Sequence, residues 1–287
     1  MAGICVPDAA VVHSKGVEFD VIASRDQVIR RVMFDKERLG DMLAMMVDRA
    51  PGRALELGAA PYLLTASLVN AGFDVTANGL PTAEFGAAAA LHLSMNGTDV
   101  EIPLLFFDAE QSFPLEDGSF DLVVAGEIFE HFLYQPWMMM AESNRVLRPG
   151  GRLVLTTPNA HSLEWGYRWV RRRSMGMGFN PKAPTVRHAR EYGVSELTAV
   201  VESQGFTVEE ARVAAYSHVI EGFPGPLGPM KRWVYHWLKR RSVGNGRLFG
   251  GRGDTILLRA IKTGPAGDPP EFMRYALGDP RTGYNFG

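Results

Sequence analysis

Apolar positions first fall into a recognisable period after residue 24. Val28, Val32, Leu39, Met42, Leu43, Met46 and Val47 lie on one stripe of a 3.6-residue repeat. Ser24-Arg25-Asp26-Gln27 reads as a capping box at the start of that helix, and Pro51-Gly52 stops it. Residues 1–22 show no clear pattern. From residue 53 the pattern changes to short continuous apolar runs that alternate with helical stretches. Strands are predicted over Arg53–Leu57, Phe73–Asn78, Ile102–Phe107, Phe120–Ala125, Arg152–Thr157, Phe206–Val213 and Asp254–Lys262. Helices are predicted over Pro61–Ala71, over the alanine-rich Thr82–Asn96, and over Gln135–Leu147 and Ser195–Gln204. Runs such as "LVVAG" and "RLVLTT" are apolar at both alternating sets of positions, as strands buried on both faces of a parallel sheet require. The pattern therefore predicts an α/β fold, a doubly wound and mostly parallel sheet with helices on both faces. Residues 1–51 form an N-terminal helical extension or lid, and residues 52–263 the main domain. An insertion at 214–253 precedes the last strand; its roughly 40 residues greatly exceed an ordinary connection. The Pro- and Gly-rich 264–287 reads as an irregular tail.

Composition narrows this little. Of 287 residues, 46% are hydrophobic and 22% charged, as in a soluble globular protein, and a net charge of −2 argues against a dedicated nucleic-acid binder. The single cysteine, Cys5, excludes an internal disulfide. No basic segment followed by an apolar run opens the chain, and no stretch nears the roughly 18 apolar residues that span a bilayer. A cytoplasmic location is expected.

The stretch "GRALELGAAPYLLTASLVNAGFDVTANGL" (52–80) is a strand, tight turn, helix and second strand, the opening unit of a nucleotide-binding domain. Its turn keeps one glycine, Gly58. Its second strand ends in Asn78-Gly79, without the carboxylate that usually holds a ribose. Lacking both G-x-G-x-x-G and that acid, the unit fits a nicotinamide dehydrogenase poorly.

Three blocks, in order and at fixed spacing, carry a family likeness: "ALELGAAPYLLT" (54–65), "FFDAEQSFPLEDGSFDLVVAGEIFEHF" (106–132) and "RVLRPGGRLVLTTPN" (145–159). Together they resemble the class I S-adenosylmethionine-dependent methyltransferases, whose fold is Rossmann-like. The resemblance implies adenosylmethionine as cofactor and a methyltransferase as the activity. It sets Glu56 and Gly58 beside the cofactor's amino-acid half, with Ala59 and Tyr62 in the same turn. Asp108 matches the acid that contacts the adenine amine, with Ala109 beside it, and Glu127 lies next to the sulfonium. Two departures stand out. Ala60 and Tyr62 occupy positions where glycine is usual, and Gly79 the position of the ribose acid. Losing that acid costs about 1–3 kcal/mol of cofactor binding, unless Asn78 or Glu84 reaches the ribose instead. A fourth block, "RHAREYGVSELTAVVESQGF" (187–206), resembles a subgroup that modifies sugars and lipid-linked glycans, which implies a small or lipid-linked acceptor such as a sugar hydroxyl. The alternative is a non-catalytic methyltransferase-like module that binds a ligand or partner through an altered pocket.

A hydroxyl acceptor needs a base. Glu127 and His131, four apart in "GEIFEHF", share one face of any helix that begins there, so a carboxylate-oriented imidazole near the methyl group is one reading. The other is that both cap and pack the loop. His188, Arg190, Glu191 and Tyr192 read as the entry to the helix at Ser195. No metal site is expected, because His131, His161 and His188 are far apart in sequence and H-E-x-x-H is absent. Finally, "EWGYRWVRRR" (164–173) and "KRWVYHWLKRR" (231–241) hold nine of the 30 lysines and arginines and four of the five tryptophans. Such stretches fit a peripheral membrane contact, a lipid-linked sugar phosphate or RNA. They equally fit a helix that packs its aromatics and solvates its charges.

Overall fold

In a computed structural model of the chain, the structure describes residues 9–14, 17–20, 25–80, 88–95, 97–163, 165–166, 188–216, 237 and 251–274. The described strands are β1 (Ala9–Ser14), β2 (Val17–Asp20), β3 (Arg53–Leu57), β4 (Asp74–Gly79), β5 (Ala88–Met95), β6 (Thr98–Phe106), β7 (Phe120–Gly126), β8 (Leu147–Pro158), β9 (Phe206–Ala214) and β10 (Thr255–Lys262). The helices are α1 (Arg25–Met46), α2 (Leu63–Asn70), α3 (Pro136–Val146), α4 (Val194–Ser203) and the short α5 (Glu271–Arg274). All ten strands form one sheet in the order β2-β1-β5-β6-β4-β3-β7-β8-β10-β9. Its centre, β6-β4-β3-β7-β8, is parallel; β10 and β9 add antiparallel on one side, and β5, β1 and β2 on the other. The α/β, Rossmann-like fold is as expected.

The strands of the parallel centre bury both faces because each face carries helices. On one face Met42, Leu43 and Met46 of α1 and Leu64 and Leu68 of α2 pack with Ala54, Val124 and Leu257. On the other, Met139, Met140, Leu197, Val200 and Val201 of α3 and α4 pack with Leu55, Val123, Leu153, Leu155 and Ile256. Neighbouring residues of β7, Val123 and Val124, therefore serve opposite cores, which is why "LVVAG" is apolar throughout.

One expectation is corrected. Residues 88–95, expected as the end of an alanine-rich helix, form β5. Leu91, Leu93 and Met95 are buried while His92 and Ser94 between them are not, a period of two that outweighs the helical preference of the alanines. Met95 pairs with Thr98 across the β5–β6 connection, in which Gly97 takes φ 76°, as tight hairpin turns demand. Residues 81–87, the start of the expected helix, lie outside the described residues. At the N-terminus, where no pattern was visible, β1 and β2 form a hairpin that extends the sheet through β5. The tail is ordered on the domain as far as α5, with Met273 in the core. Most of the insertion at 214–253 lies outside the described residues.

The loop after α1 ties that helix to the sheet. Asp48 is bound by Arg152 of β8 and by Arg259 of β10, and both arginines also reach Glu209 of β9. Asp41 of α1 pairs with Arg212 and accepts the Tyr216 hydroxyl. The Arg152 guanidinium holds the Asp48 carboxyl below its ordinary range.

Candidate active site

The C-terminal ends of the parallel strands meet at one rim of the sheet. There β3 runs into Gly58, whose φ is 67° and whose absent side chain would collide with Ile128. Both conformation and space thus require glycine. The turn closes with a hydrogen bond from Tyr62 N to the Ala59 carbonyl (2.6 Å), and α2 begins directly after it. Tyr62 stands where glycine is usual, yet it takes the glycine-like backbone conformation (φ 65°). Its ring is buried in the core shared with α1 and α2. Burial, and then the charge of Glu56, push the Tyr62 hydroxyl up to about 12.

Glu56, the penultimate residue of β3, is buried under the first turn of α2 and accepts the Thr65 hydroxyl at 2.6 Å. Burial raises its carboxyl to about 8 despite that bond. Asn78, considered above as a substitute ribose ligand, faces inward. Its Oδ1 accepts Gly58 N (3.3 Å), and its Nδ2 donates to the carbonyls of Gly79 (3.0 Å) and Phe107 (3.1 Å). One amide thereby fixes the ends of β3, β4 and β6 against one another. Glu84 lies outside the described residues. At Gly79 the backbone admits a side chain, but a Cβ would lie 3.0 Å from Cε1 and 3.2 Å from Cδ1 of Phe106. The aromatic ring crowds the place of the missing acid.

Asp108 follows β6. Its Oδ1 accepts Glu110 N at 2.9 Å, which turns the chain at the rim, and Ala109 is buried beside it. Glu110, which sequence reasoning passed over, accepts the amides of Leu133, Tyr134 and Gln135 at 2.7–3.0 Å and so caps the approach to α3.

After β7 the expected pairing fails. Residues Phe129–His131 form a single 3-10 turn, and Glu127 before it is left-handed (φ 56°), so no α-helical face joins Glu127 to His131. Glu127 instead lies 3.7 Å from Arg38 of α1, which reaches over the strand ends. The carboxylate beside His131 is that of Glu130, with Oε1 3.7 Å from Nε2. His188, distant in sequence, is brought in as well: the two imidazole rings are 5.1 Å apart and nearly perpendicular, and His188 Nε2 lies 3.9 Å from Glu130 Oε1. The chain separation that argued against any histidine cluster is cancelled by the fold. Backbone bonds from Ala189 and Arg190 to the Glu130 carbonyl secure this meeting. Glu191 Oε1 binds His188 Nδ1 at 2.8 Å and, with the nearby carboxylates, raises that imidazole's affinity for a proton. Glu130 is itself raised, by burial first and by the charge of Glu127 second. Arg190 and Tyr192 do mark the entry to α4, Arg190 through an ion pair to Glu196 (2.7 Å) and a guanidinium over the Tyr192 ring. His161 lies beside Gly193, apart from this group. Of the two aromatic and basic segments, only Trp165, Gly166 and Trp237 are among the described residues. No described helix is long and apolar enough to cross a membrane.

Residues 55–155 match the methyltransferase domain family. A Mycolicibacterium smegmatis protein named as a probable S-adenosylmethionine-dependent methyltransferase is 36% identical over 97 residues, 34% of this chain and 32% of that protein. The ubiquinone biosynthesis O-methyltransferase of Xanthomonas oryzae pv. oryzae is 32% identical over 119 residues, 42% of this chain and 48% of that protein. The chain thus spans between a third and a half of these curated relatives. Among solved structures, an S-adenosylmethionine-dependent methyltransferase from Archaeoglobus fulgidus superposes with a TM-score of 0.51 at 15% identity, over 82% of this chain and 99% of that one. The stretch these comparisons cover, residues 55–155 in the family match, is similar to S-adenosylmethionine-dependent methyltransferases, and the fold is that of the Archaeoglobus structure.

Proposed function

We propose that this protein transfers a methyl group from adenosylmethionine to an oxygen of a small or lipid-linked acceptor, a sugar hydroxyl being one candidate. The observation that carries this reading is the preserved turn at Gly58, held open by Asn78 and backed by buried Glu56. That turn would hold the amino-acid half of the cofactor; Asp108 and Ala109 would meet the adenine, and Glu127, directly after β7, would lie nearest the sulfonium. With adenosylmethionine bound there, Glu130, His131 and His188 would be the groups to hold an acceptor hydroxyl and take its proton. Transfer would join the reacting oxygen to the methyl carbon as the carbon–sulfur bond breaks and its electron pair neutralises the sulfonium. The name of the Xanthomonas relative supports an oxygen acceptor. The crowding of Gly79 by Phe106 favours a second reading, a binding module with a weakened cofactor grip and no turnover.

Calorimetric titration with adenosylmethionine tests the first reading. Binding at micromolar affinity is expected, and Asp108→Ala should weaken it at least about tenfold, as loss of a charge-assisted hydrogen bond does. No measurable binding would leave the second reading standing; an unchanged affinity in Asp108→Ala would remove the adenine role.

A further inference from the structure

Glu130, His131 and His188 converge as no ordinary ion-pair cluster does. One ligand-capable atom from each lies within 4.8 Å of the other two. Glu130 Oε1 is 3.7 Å from His131 Nε2 and 3.9 Å from His188 Nε2, too far for hydrogen bonds. Ligands about 2.1 Å from one tetrahedral cation stand roughly 3.4 Å apart, so the two carboxylate–imidazole spacings are those of an open cation cage that draws in on binding. The supporting groups fit as well. His188 presents Nε2 because Nδ1 is engaged by Glu191, and Glu191 is held in turn by the Trp165 indole N–H. Glu130 presents Oε1 because Oε2 accepts the Thr157 hydroxyl at 2.9 Å. Carboxylate-to-imidazole and hydroxyl-to-carboxylate supports of this kind orient metal ligands. The Glu130 side chain is 1% exposed and the two imidazoles 28% and 23%, so the cluster is closed at the carboxylate and reaches solvent at the imidazoles.

We infer that Glu130, His131 and His188 form a binding site for a divalent transition-metal ion whose remaining positions face the methyl acceptor. Two imidazoles and one carboxylate suit zinc, manganese or cobalt and leave room for an oxygen ligand. The functional part of this inference rests on the methyltransferase reading: an acceptor hydroxyl bound there gives up its proton to water at a lower pH than when free. His131 then acts as a metal ligand and not as the base.

The test is titration of the full, untagged chain with Co²⁺, followed by visible absorption, and with Zn²⁺ and Mn²⁺, followed by calorimetry. One equivalent should bind, with cobalt bands characteristic of nitrogen and oxygen ligation. The double variant His131→Gln/His188→Gln should lose at least about a hundredfold in affinity, and Glu191→Gln about tenfold to a hundredfold through the orientation of His188. Absence of stoichiometric binding by the wild-type chain overturns the inference. So does an unchanged affinity in the folded double variant or, if that variant does not fold, in Glu191→Gln. Adenosylmethionine titration of the metal-free protein runs in parallel. Cofactor binding without metal binding sinks the metal site alone, and metal binding without cofactor binding sinks the methyltransferase reading alone.

Discussion

Glu56 and Gly79 carry the two departures from ordinary behaviour that matter most for the cofactor. A carboxyl raised from 4.5 to about 8 binds its proton more tightly in the folded chain than in the unfolded one. Its contribution to stability is therefore complete below pH 4.5 and is lost as pH rises through about 8. Urea unfolding of the cofactor-free protein between pH 5 and 9 should show that decline, and Glu56→Gln should remove part of it. Equal slopes in the two proteins would mean that Glu56 ionises normally. Gly79 leads to a less obvious expectation. Restoring the family's acid by Gly79→Asp forces a Cβ against the Phe106 ring. The variant should lose about 1–3 kcal/mol of stability, as overpacked sites do, and bind adenosylmethionine no more tightly. Adding Phe106→Leu should recover the stability and tighten the cofactor about tenfold. Tighter binding by the single variant would show that the ring moves freely aside.

At the scale of elements, what the sequence disclosed depended on whether one period dominated a segment. β3, β7 and α3 were legible because two-sided burial makes the strands uniformly apolar, while Met139, Met140 and Val146 keep helical spacing in α3. β5 was misread because four consecutive alanines (87–90) outweighed the alternation Leu91, Leu93, Met95 and the Asn96-Gly97 turn signal. Gly97 sits at φ 76° with open space around it, so Gly97→Ala introduces backbone strain without a clash. It should cost about 1 kcal/mol in thermal unfolding, and a neutral result would contradict the left-handed turn. In the candidate site, the glycine of the turn after β3 was legible because a left-handed residue in a tight turn is a local need. His188, Glu130 and Arg38 were not. His188 meets Glu130 across 58 residues of chain and Arg38 reaches Glu127 across 89, and no local pattern records such distances. The pairing of Glu127 with His131 failed for a related reason: it assumed an α-helix where a left-handed residue and a 3-10 turn stand.

For the molecule as a whole, the added hairpins change which parts of the sheet can open alone. β6 pairs with β4 only over Leu104–Phe106, whereas β5 covers it from Thr98 to Leu105. Its first half therefore depends on β5 alone, and β5 leans in turn on β1. Amide hydrogen exchange should reveal the difference. Leu104, Leu105 and Phe106 should exchange only through global unfolding, while Asp99–Glu101 should exchange through a lower-energy opening shared with β5 and β1. Mass spectrometry of short peptides can separate the two halves of the strand. Uniform protection from Thr98 to Phe106 would mean that the sheet opens as one unit. Two rates would instead make this edge a separate cooperative unit, able to come loose and return while the strand ends around Gly58 stay in place.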